Sequence, residues 1–378
     1  MEREWGLVLA GGGAKGSYHM GVWEALNKLG VNITSVTGTS IGSINGALFC
    51  QGDMERALML WENISIDKIV DLTNLQSVGE NLFDLKNITA LIAEAYKNNG
   101  LTMQPLYELL QQVVDEEAIR NSPVDFGLVT CRVPDLTAVE LFKGEIPSGK
   151  LVDYLMASAS LPGFKAKKIE DKTFVDGGVI NNMPADMLLK KGYLNLITVD
   201  VGGIGIVKNI DKTAKNIISI KCDETIIGTM EFKKEFIEKS IKKGYYDTFK
   251  AFGRLAGNRY YFNIADYYAA RGNYAPEILE GLEHAAHAFG IDPVKVYRVE
   301  SLIQGVLEGY HRNVEQTKET EHFFENFARR KYADKLIVAR LARIIKDKNL
   351  DFMANKIIMN VLGNNFSAAS ALAYFLEQ

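Results

Sequence analysis

Between Trp5 and Gly46 the chain passes through two glycine-rich turns, each following a short apolar run and each preceding a helical pattern. Leu7-Val8-Leu9-Ala10 is unbroken, as a strand buried on both faces is. Gly11, Gly12 and Gly13 follow at once, then Met20, Val22, Trp23, Leu26 and Leu29 recur at roughly helical spacing, and Gly30 closes the helix. A second buried strand, Ile33 to Thr37, is expected to lead into Gly38-Thr39-Ser40-Ile41-Gly42. Strand, turn and helix thus occur twice in succession, which predicts an α/β fold on a parallel sheet.

The second turn reads Gly-x-Ser-x-Gly. A serine on a tight strand-to-helix turn is held in a strained backbone conformation with its hydroxyl outward, and a Cβ on Gly38 or Gly42 crowds such a turn. Ile41, Ile44, Ala47 and Leu48 give the following helix an apolar side, and its first turn brings unpaired N–H groups and a positive dipole end beside Ser40. Ser40 is the candidate nucleophile. The first turn complements it, because Gly11, Gly12 and Gly13 expose backbone N–H groups suited to an oxyanion hole. Each such donor typically contributes about 10²–10³ in rate. Gly11-x-Gly13-x-x-Gly16 also fits a dinucleotide fingerprint, but that motif requires an acid at the end of the second strand, where Val36-Thr37-Gly38 has none. A phosphate-binding loop has its lysine after the last glycine, whereas Lys15 precedes Gly16. Lys15 is left with two readings, a partner for a substrate phosphate or for a nearby carboxylate.

GGGAKG followed by GTSIGS resembles the patatin-like phospholipase family. The resemblance extends to Phe174-Val175-Asp176-Gly177-Gly178, to Ala157-Ser158-Ala159-Ser160-Leu161-Pro162-Gly163-Phe164 and to Asn181-Asn182-Met183-Pro184, and covers roughly residues 5 to 205. One position departs from it: Ala10 stands where many members carry Asp or Asn. The resemblance implies a three-layer α/β/α fold with a central, mostly parallel sheet. It also implies a lipid acyl hydrolase of phospholipase A or lysophospholipase type, working through a Ser40–Asp176 dyad without metal or organic cofactor. Lys15, Gly16, Gly38, Gly42, Gly177 and Gly178 are the supporting motif positions. Two alternatives stay open at this stage. One is a Ser-His-Asp esterase of the α/β-hydrolase type, which needs one of His19, His284, His287, His311 or His322. The other is a non-catalytic lipid- or dinucleotide-binding module.

The remaining chain divides into an acyl-hydrolase domain over 1–254 and a helical region over 255–378. Residues 52–123 read as mostly helical around a polar loop from Asp71 to Asn81, a lid or a flank of the sheet; Leu82 and Phe83 line an acyl pocket or merely pack. Hairpins are expected over 125–142 and 165–175, a small-residue helix over 151–160, and strands at 194–201 and 217–220. Met230, Ile237, Ile241, Tyr245 and Phe249 predict a helix packed on the sheet, and helices without strands follow over 276–289, 293–309 and 320–347. Basic residues crowd Arg329 to Lys348, either as a solvated face or as a peripheral membrane contact. A net charge of −4 argues against nucleic acid as a partner, which leaves a lipid or acyl-ester substrate. Three scattered cysteines and the lack of a leader-like or membrane-spanning run predict a cytoplasmic protein, with signal-independent secretion and oligomeric state left open.

Overall fold

β1 (Trp5–Leu9) is buried along its whole length because it is paired in parallel on both edges, with β2 (Ile33–Thr39) and with β7 (Asn195–Asp200). The computed structural model describes residues 4–71, 101–161, 163–210, 213–222, 232–314, 334–346 and 363–378. They fall into two structural units, Met1–Ala251 and Phe252–Gln378.

The sheet of the first unit also contains β3 (Asp125–Val133), β4 (Thr137–Phe142), β5 (Lys167–Ile169), β6 (Lys172–Asp176) and β8 (Asn216–Lys221). Its order is β5-β6-β3-β2-β1-β7-β8, with β4 also paired to β3. The run from β3 to β8 is parallel, and the β3-β4, β3-β6 and β5-β6 pairings are antiparallel. Side-chain alternation along β2 sets out the layers. Val36 lies with Phe126 against Gly46 of helix α2 (Ile41–Gln51). The next residue, Thr37, points to the opposite face, where its hydroxyl donates to Pro184 O at 3.1 Å. The helix Ala185–Lys190 covers that face, packing Ala185 and Leu188 on Val8 and Leu196. Helices therefore cover both faces of the sheet, the three-layer α/β/α arrangement expected.

Helix α1 (Ser17–Lys28) ends at Gly30, whose φ of 67° suits the left-handed position beyond a helix C-terminus. Helices also form over Met54–Glu62 (α3), Gln104–Val113 and Glu116–Asn121. Residues 72–100 lie outside the described residues, so the expected loop beyond Asp71 and the Leu82–Phe83 pair are not placed.

Two expectations are corrected here. The helix Lys234–Ala251, expected on the sheet, does meet it at β8, but its chief partner is α1. Two glycines bring those backbones together: a Cβ on Gly21 would fall on Ile241 O, and one on Gly244 would fall on Tyr18 O. Tyr18 Oη donates to Asp247 at 2.7 Å, and Asp247 also pairs with Lys243 at 2.9 Å, so the contact has a polar clasp as well. Met230 lies outside the described residues. The second unit, expected to contain helices alone, holds a small sheet of β9 (Leu255–Ala256), β10 (Tyr261–Asn263) and β11 (Val296–Tyr297). Strands of two or three residues are too short to show a period of two in sequence.

The rest of the second unit is helical: Ile264–Asn273, Pro276–Ala288, Val299–Val314, Asp334–Lys346 and Asn364–Glu377. In the helix Asp334–Lys346 the residues Ile337, Val338, Leu341 and Ala342 are buried in that unit's core. The apolar side of this helix is thus taken up by the unit's core, with Lys335 and Lys346 exposed and Arg340 and Arg343 half-buried. Residues 329–333 and 347–348 lie outside the described residues. Among the described residues no helix is long and apolar enough to cross a membrane.

The close helix crossing generates a prediction. Gly21→Val is expected to destabilise the first unit by about 2 kcal/mol or more in urea unfolding, because main-chain atoms cannot yield as a side chain can. Gly144→Ala, with open space around it, is expected to change stability by less than about 0.5 kcal/mol.

Candidate active site

The pairing of β3 brings the candidate dyad together. β4 occupies one edge of β3 over Gly127–Arg132. Both β2 and β6 must then use the other edge, β2 parallel up to the Thr39–Val129 pair and β6 antiparallel from the Asp176–Thr130 pair. Two strands of opposite direction therefore end head to head on adjacent rungs. Ser40 follows the last residue of one, and Asp176 is the last residue of the other. Gly177 makes the junction sterically feasible, since a Cβ there would fall on Val129 O.

Ser40 has φ 55° and ψ −128°, a region that costs a non-glycine residue roughly 1–3 kcal/mol. It occupies the N-cap position of α2, yet its hydroxyl makes no capping hydrogen bond. The strained backbone turns Oγ away from its own helix and leaves it free. Several contacts hold the strain in place. Ser40 N donates to Ser158 Oγ at 2.9 Å, Ser158 Oγ donates to Val129 O at 2.7 Å, and Ser43 Oγ donates to Ser40 O at 2.6 Å. The flanking glycines are needed for backbone approach: a Cβ on Gly38 would meet the Gly42 carbonyl, and one on Gly42 would meet Leu9 O at the end of β1.

Asp176 is buried. Its Oδ1 accepts from Gly178 N at 2.7 Å and its own N donates to Ser160 O at 2.7 Å, which fixes the carboxylate in the turn that it opens. Burial pushes its pKa up from 3.8 to about 6, against the opposing pull of the Ser40 hydroxyl and the Gly178 N–H. The Ser40 hydroxyl lies near enough to favour the anion without closing a hydrogen bond, and Oδ2 has no hydrogen-bond partner. A buried carboxylate oxygen with no partner beside a free serine hydroxyl is an arrangement able to take a proton from it.

The first glycine turn lies alongside. A Cβ on Gly11 would sit 3.0 Å from Ser40 Cβ. Gly11 N donates to Asn182 O at 3.2 Å, so of the three candidate glycine N–H groups this one already has an acceptor. Gly12 and Gly13 head a short 3₁₀ turn, Gly13–Gly16, whose first N–H groups have no partner within the turn. Gly13 adopts φ 59°, a left-handed value that a β-branched residue resists. Ser40 and Gly13 also line an apolar cavity. Its walls include Trp61, Met103, Leu106, Leu110, Phe164 and Phe232. Asn45 is the one other polar side chain in the wall among the described residues, and its amide is committed to Gly16 O, His19 Nδ1 and Trp61 Nε1. The cavity is an apolar slot that ends at Ser40.

A sequence model of the patatin-like phospholipase family matches residues 7–189, a span that includes both turns, Ser40 and Asp176. Residues 7–189 belong to the patatin-like phospholipase family. The chain is similar to patatin-like phospholipase domain-containing protein 6 of Mus musculus, with 32% identity over 200 residues, which is 52% of this chain and 13% of that one. It is also similar to the neuropathy target esterase sws of Drosophila melanogaster, with 26% identity over 204 residues, again 52% of this chain and 13% of that one. The chain thus spans about an eighth of the length of these curated relatives. Among solved structures it is similar to VipD from Legionella pneumophila, with 15% identity, a TM-score of 0.44, and coverage of 99% of this chain and 88% of that one.

Within the patatin-like domain the other candidates separate clearly. Lys15 Nζ donates to Gly202 O at 2.7 Å, a backbone carbonyl and not the carboxylate considered from sequence. Gly16 packs tightly against Ile41 and receives Asn45 through its carbonyl. The first unit contains a single histidine, His19. It is buried, bonded to Asn45 through Nδ1, and held neutral by a burial that lowers its pKa to about 3. His284, His287 and His311 lie on helices of the second unit, and His322 lies outside the described residues. Two residues that sequence reasoning left without roles are Ser158, which anchors the Ser40 backbone, and Asn182, whose main chain takes the Gly11 N–H. Both lie in stretches that carry the family resemblance, but no spacing in the sequence states what they bond.

The buried carboxylate generates a stability prediction. Its folded pKa of about 6 exceeds the ordinary 3.8, so ionisation costs stability as pH rises through that window. Asp176→Asn is therefore expected to be near neutral for stability at pH 4 and stabilising by up to about 3 kcal/mol at pH 8. Thermal unfolding of both proteins at the two pH values checks this. An equal effect at the two pH values would mean that the carboxylate is not ionising in the fold.

Proposed function

We propose that the patatin-like domain is a serine acyl hydrolase acting on lipid esters, of phospholipase A or lysophospholipase type, with Ser40 as nucleophile and Asp176 as general base. The observation that carries the reading is the Ser40 hydroxyl, on a strained backbone without a capping bond, between a buried carboxylate and an apolar cavity. A carboxylate with a pKa of 3.8 is a poor base at neutral pH, whereas one near 6 is mostly ionised at pH 7 yet basic enough to accept a proton in a transition state.

The steps follow from these parts. An acyl chain occupies the cavity, with its ester carbonyl at Ser40. Oγ attacks the carbonyl carbon as Asp176 takes the hydroxyl proton, and the N–H groups of Gly12 and Gly13 hold the oxyanion. The intermediate collapses to an acyl-serine, and the departing alcohol takes the proton from Asp176. Water then repeats the attack with Asp176 again as base, and the fatty acid and free Ser40 are restored. The apolar lining of the cavity suits an acyl chain. A Ser-His-Asp mechanism has less support, because the first unit's one histidine is buried, neutral and bonded to Asn45.

A fluorophosphonate probe is expected to label Ser40 and to leave Ser40→Ala unlabelled, as read by peptide mapping. Turnover of a nitrophenyl ester is expected to fall at least about 10³-fold in Asp176→Asn while His19→Gln, His284→Gln, His287→Gln, His311→Gln and His322→Gln keep most of it. One folded histidine variant as inactive as Ser40→Ala would move the chemistry to a triad. Mass spectrometry of the products from a mixed lipid extract then identifies the ester class.

A further inference from the structure

The segment after β7 reads Val201-Gly202-Gly203-Ile204-Gly205-Ile206-Val207-Lys208. Ile204 is 87% exposed, Ile206 56% and Val207 47%, so three large aliphatic side chains of one short loop stand in solvent together. Single exposed apolar residues need no account, but a contiguous set does. The loop contains no acid, and its one charged residue is Lys208.

The loop is held rather than loose. Ile206 N donates to Gly178 O at 2.9 Å, and Asn182 N donates to Ile206 O at 2.6 Å. Gly202 O accepts from Lys15 Nζ at 2.7 Å, and Gly202 N donates to Asp200 Oδ1 at 2.8 Å. Val201 is buried at one end of the loop, and Ile210 packs on the core cluster of Val8 and Leu196 at the other. These partners are the active-site segments themselves: the Asp176 turn, Asn182 and the residues of the first glycine turn. Gly12 is covered by Val201 and Gly203, while its neighbour Gly13 lines the cavity beside Ser40. The glycine turn thus has the exposed loop on one side and the cavity on the other.

We propose that Ile204, Ile206 and Val207 insert into the surface of a lipid bilayer and set the catalytic end of the sheet against it. Aliphatic side chains on a braced backbone suit the acyl-chain boundary of a bilayer; Lys208 is the loop's cation, with Asp186 near it and Asp200 bonded at the loop's base. The inference rests on the lipid-ester reading of the site for its purpose, but bilayer binding itself needs no turnover. It also puts the membrane contact on this loop, apart from the basic helix of the second unit, whose apolar side is buried.

The test uses the full chain carrying Ser40→Ala, so that no lipid is consumed, in flotation with vesicles of equimolar phosphatidylcholine and phosphatidylglycerol. The protein is expected to float with the vesicles. Adding Ile204→Asp and Val207→Asp is expected to lower the bound fraction about tenfold or more. In the background with Ser40 intact, the same two changes are expected to leave turnover of a soluble short-chain ester within about twofold, since neither side chain is part of the catalytic set. Equal flotation of the two proteins would overturn the proposal, as would absent flotation of the parent. A parent that sediments as a dimer and becomes a monomer in the double variant, with vesicle binding unchanged, would give the loop to a second copy of the chain. If vesicle binding behaves as expected but no ester is ever cleaved, the hydrolase reading fails and this one stands.

Discussion

One edge of β3 is shared by two strands that arrive from opposite directions, and the site depends on that. β2 ends at Val129 and β6 at Thr130, so the chain must turn sharply out of both strands at one place. The turn out of β2 presents Ser40, and the turn out of β6 starts at Asp176. Residues 136 positions apart in sequence become neighbours through main-chain register alone, with no long side chain reaching between them. A one-residue slip in either pairing would reverse which face each strand end presents. The antiparallel β4 on the opposite edge of β3 guards against such a slip, because it spans the junction from Gly127 to Arg132.

The junction carries local costs that the surrounding fold offsets. Ser40 is strained, and Asp176 is buried with one oxygen lacking a hydrogen bond. Both features destabilise the folded chain, and both are what the proposed chemistry calls for: a Ser40 hydroxyl without a capping bond and a carboxylate whose pKa burial raises. The supports are short and local: Ser158 under the Ser40 N–H, Ser160 O on Asp176 N, and Thr39 Oγ1 donating to Asn181 O at 2.8 Å. Small residues predominate around the centre because main-chain atoms, not side chains, make most of these contacts.

Much of this is legible in the sequence, and for identifiable reasons. Buried parallel strands write continuous apolar runs, so Leu7–Ala10 is readable, and glycines forced by close backbone approach mark Gly38 and Gly42. The Asp176 turn is readable only through the family resemblance, since Asp-Gly is common in ordinary turns. What escapes the sequence is the bonding state of individual groups. Nothing in three consecutive glycines says that the Gly11 N–H is taken by Asn182 while those of Gly12 and Gly13 head a 3₁₀ turn. The helix Lys234–Ala251 shows an apolar side but not whether a sheet or another helix receives it, and Gly21 and Gly244 settle that as a pair. The basic helix Asp334–Lys346 has the composition of a membrane-surface helix, and only the core around Ile337 and Leu341 shows its apolar side to be occupied.

In the proposed reaction the proton leaving Ser40 goes to a carboxylate whose pKa burial has raised. The most direct measurement is the titration of the Asp176 side-chain carboxyl by carbon-13 NMR in aspartate-labelled protein, assigned by its loss in Asp176→Asn. It is set beside the acid limb of kcat/KM for a soluble ester. The account predicts that the two midpoints coincide, both near pH 6. An Asp176 carboxyl that titrates near its ordinary value of 3.8 while activity falls around pH 6 would contradict it, since the group limiting catalysis would then be another.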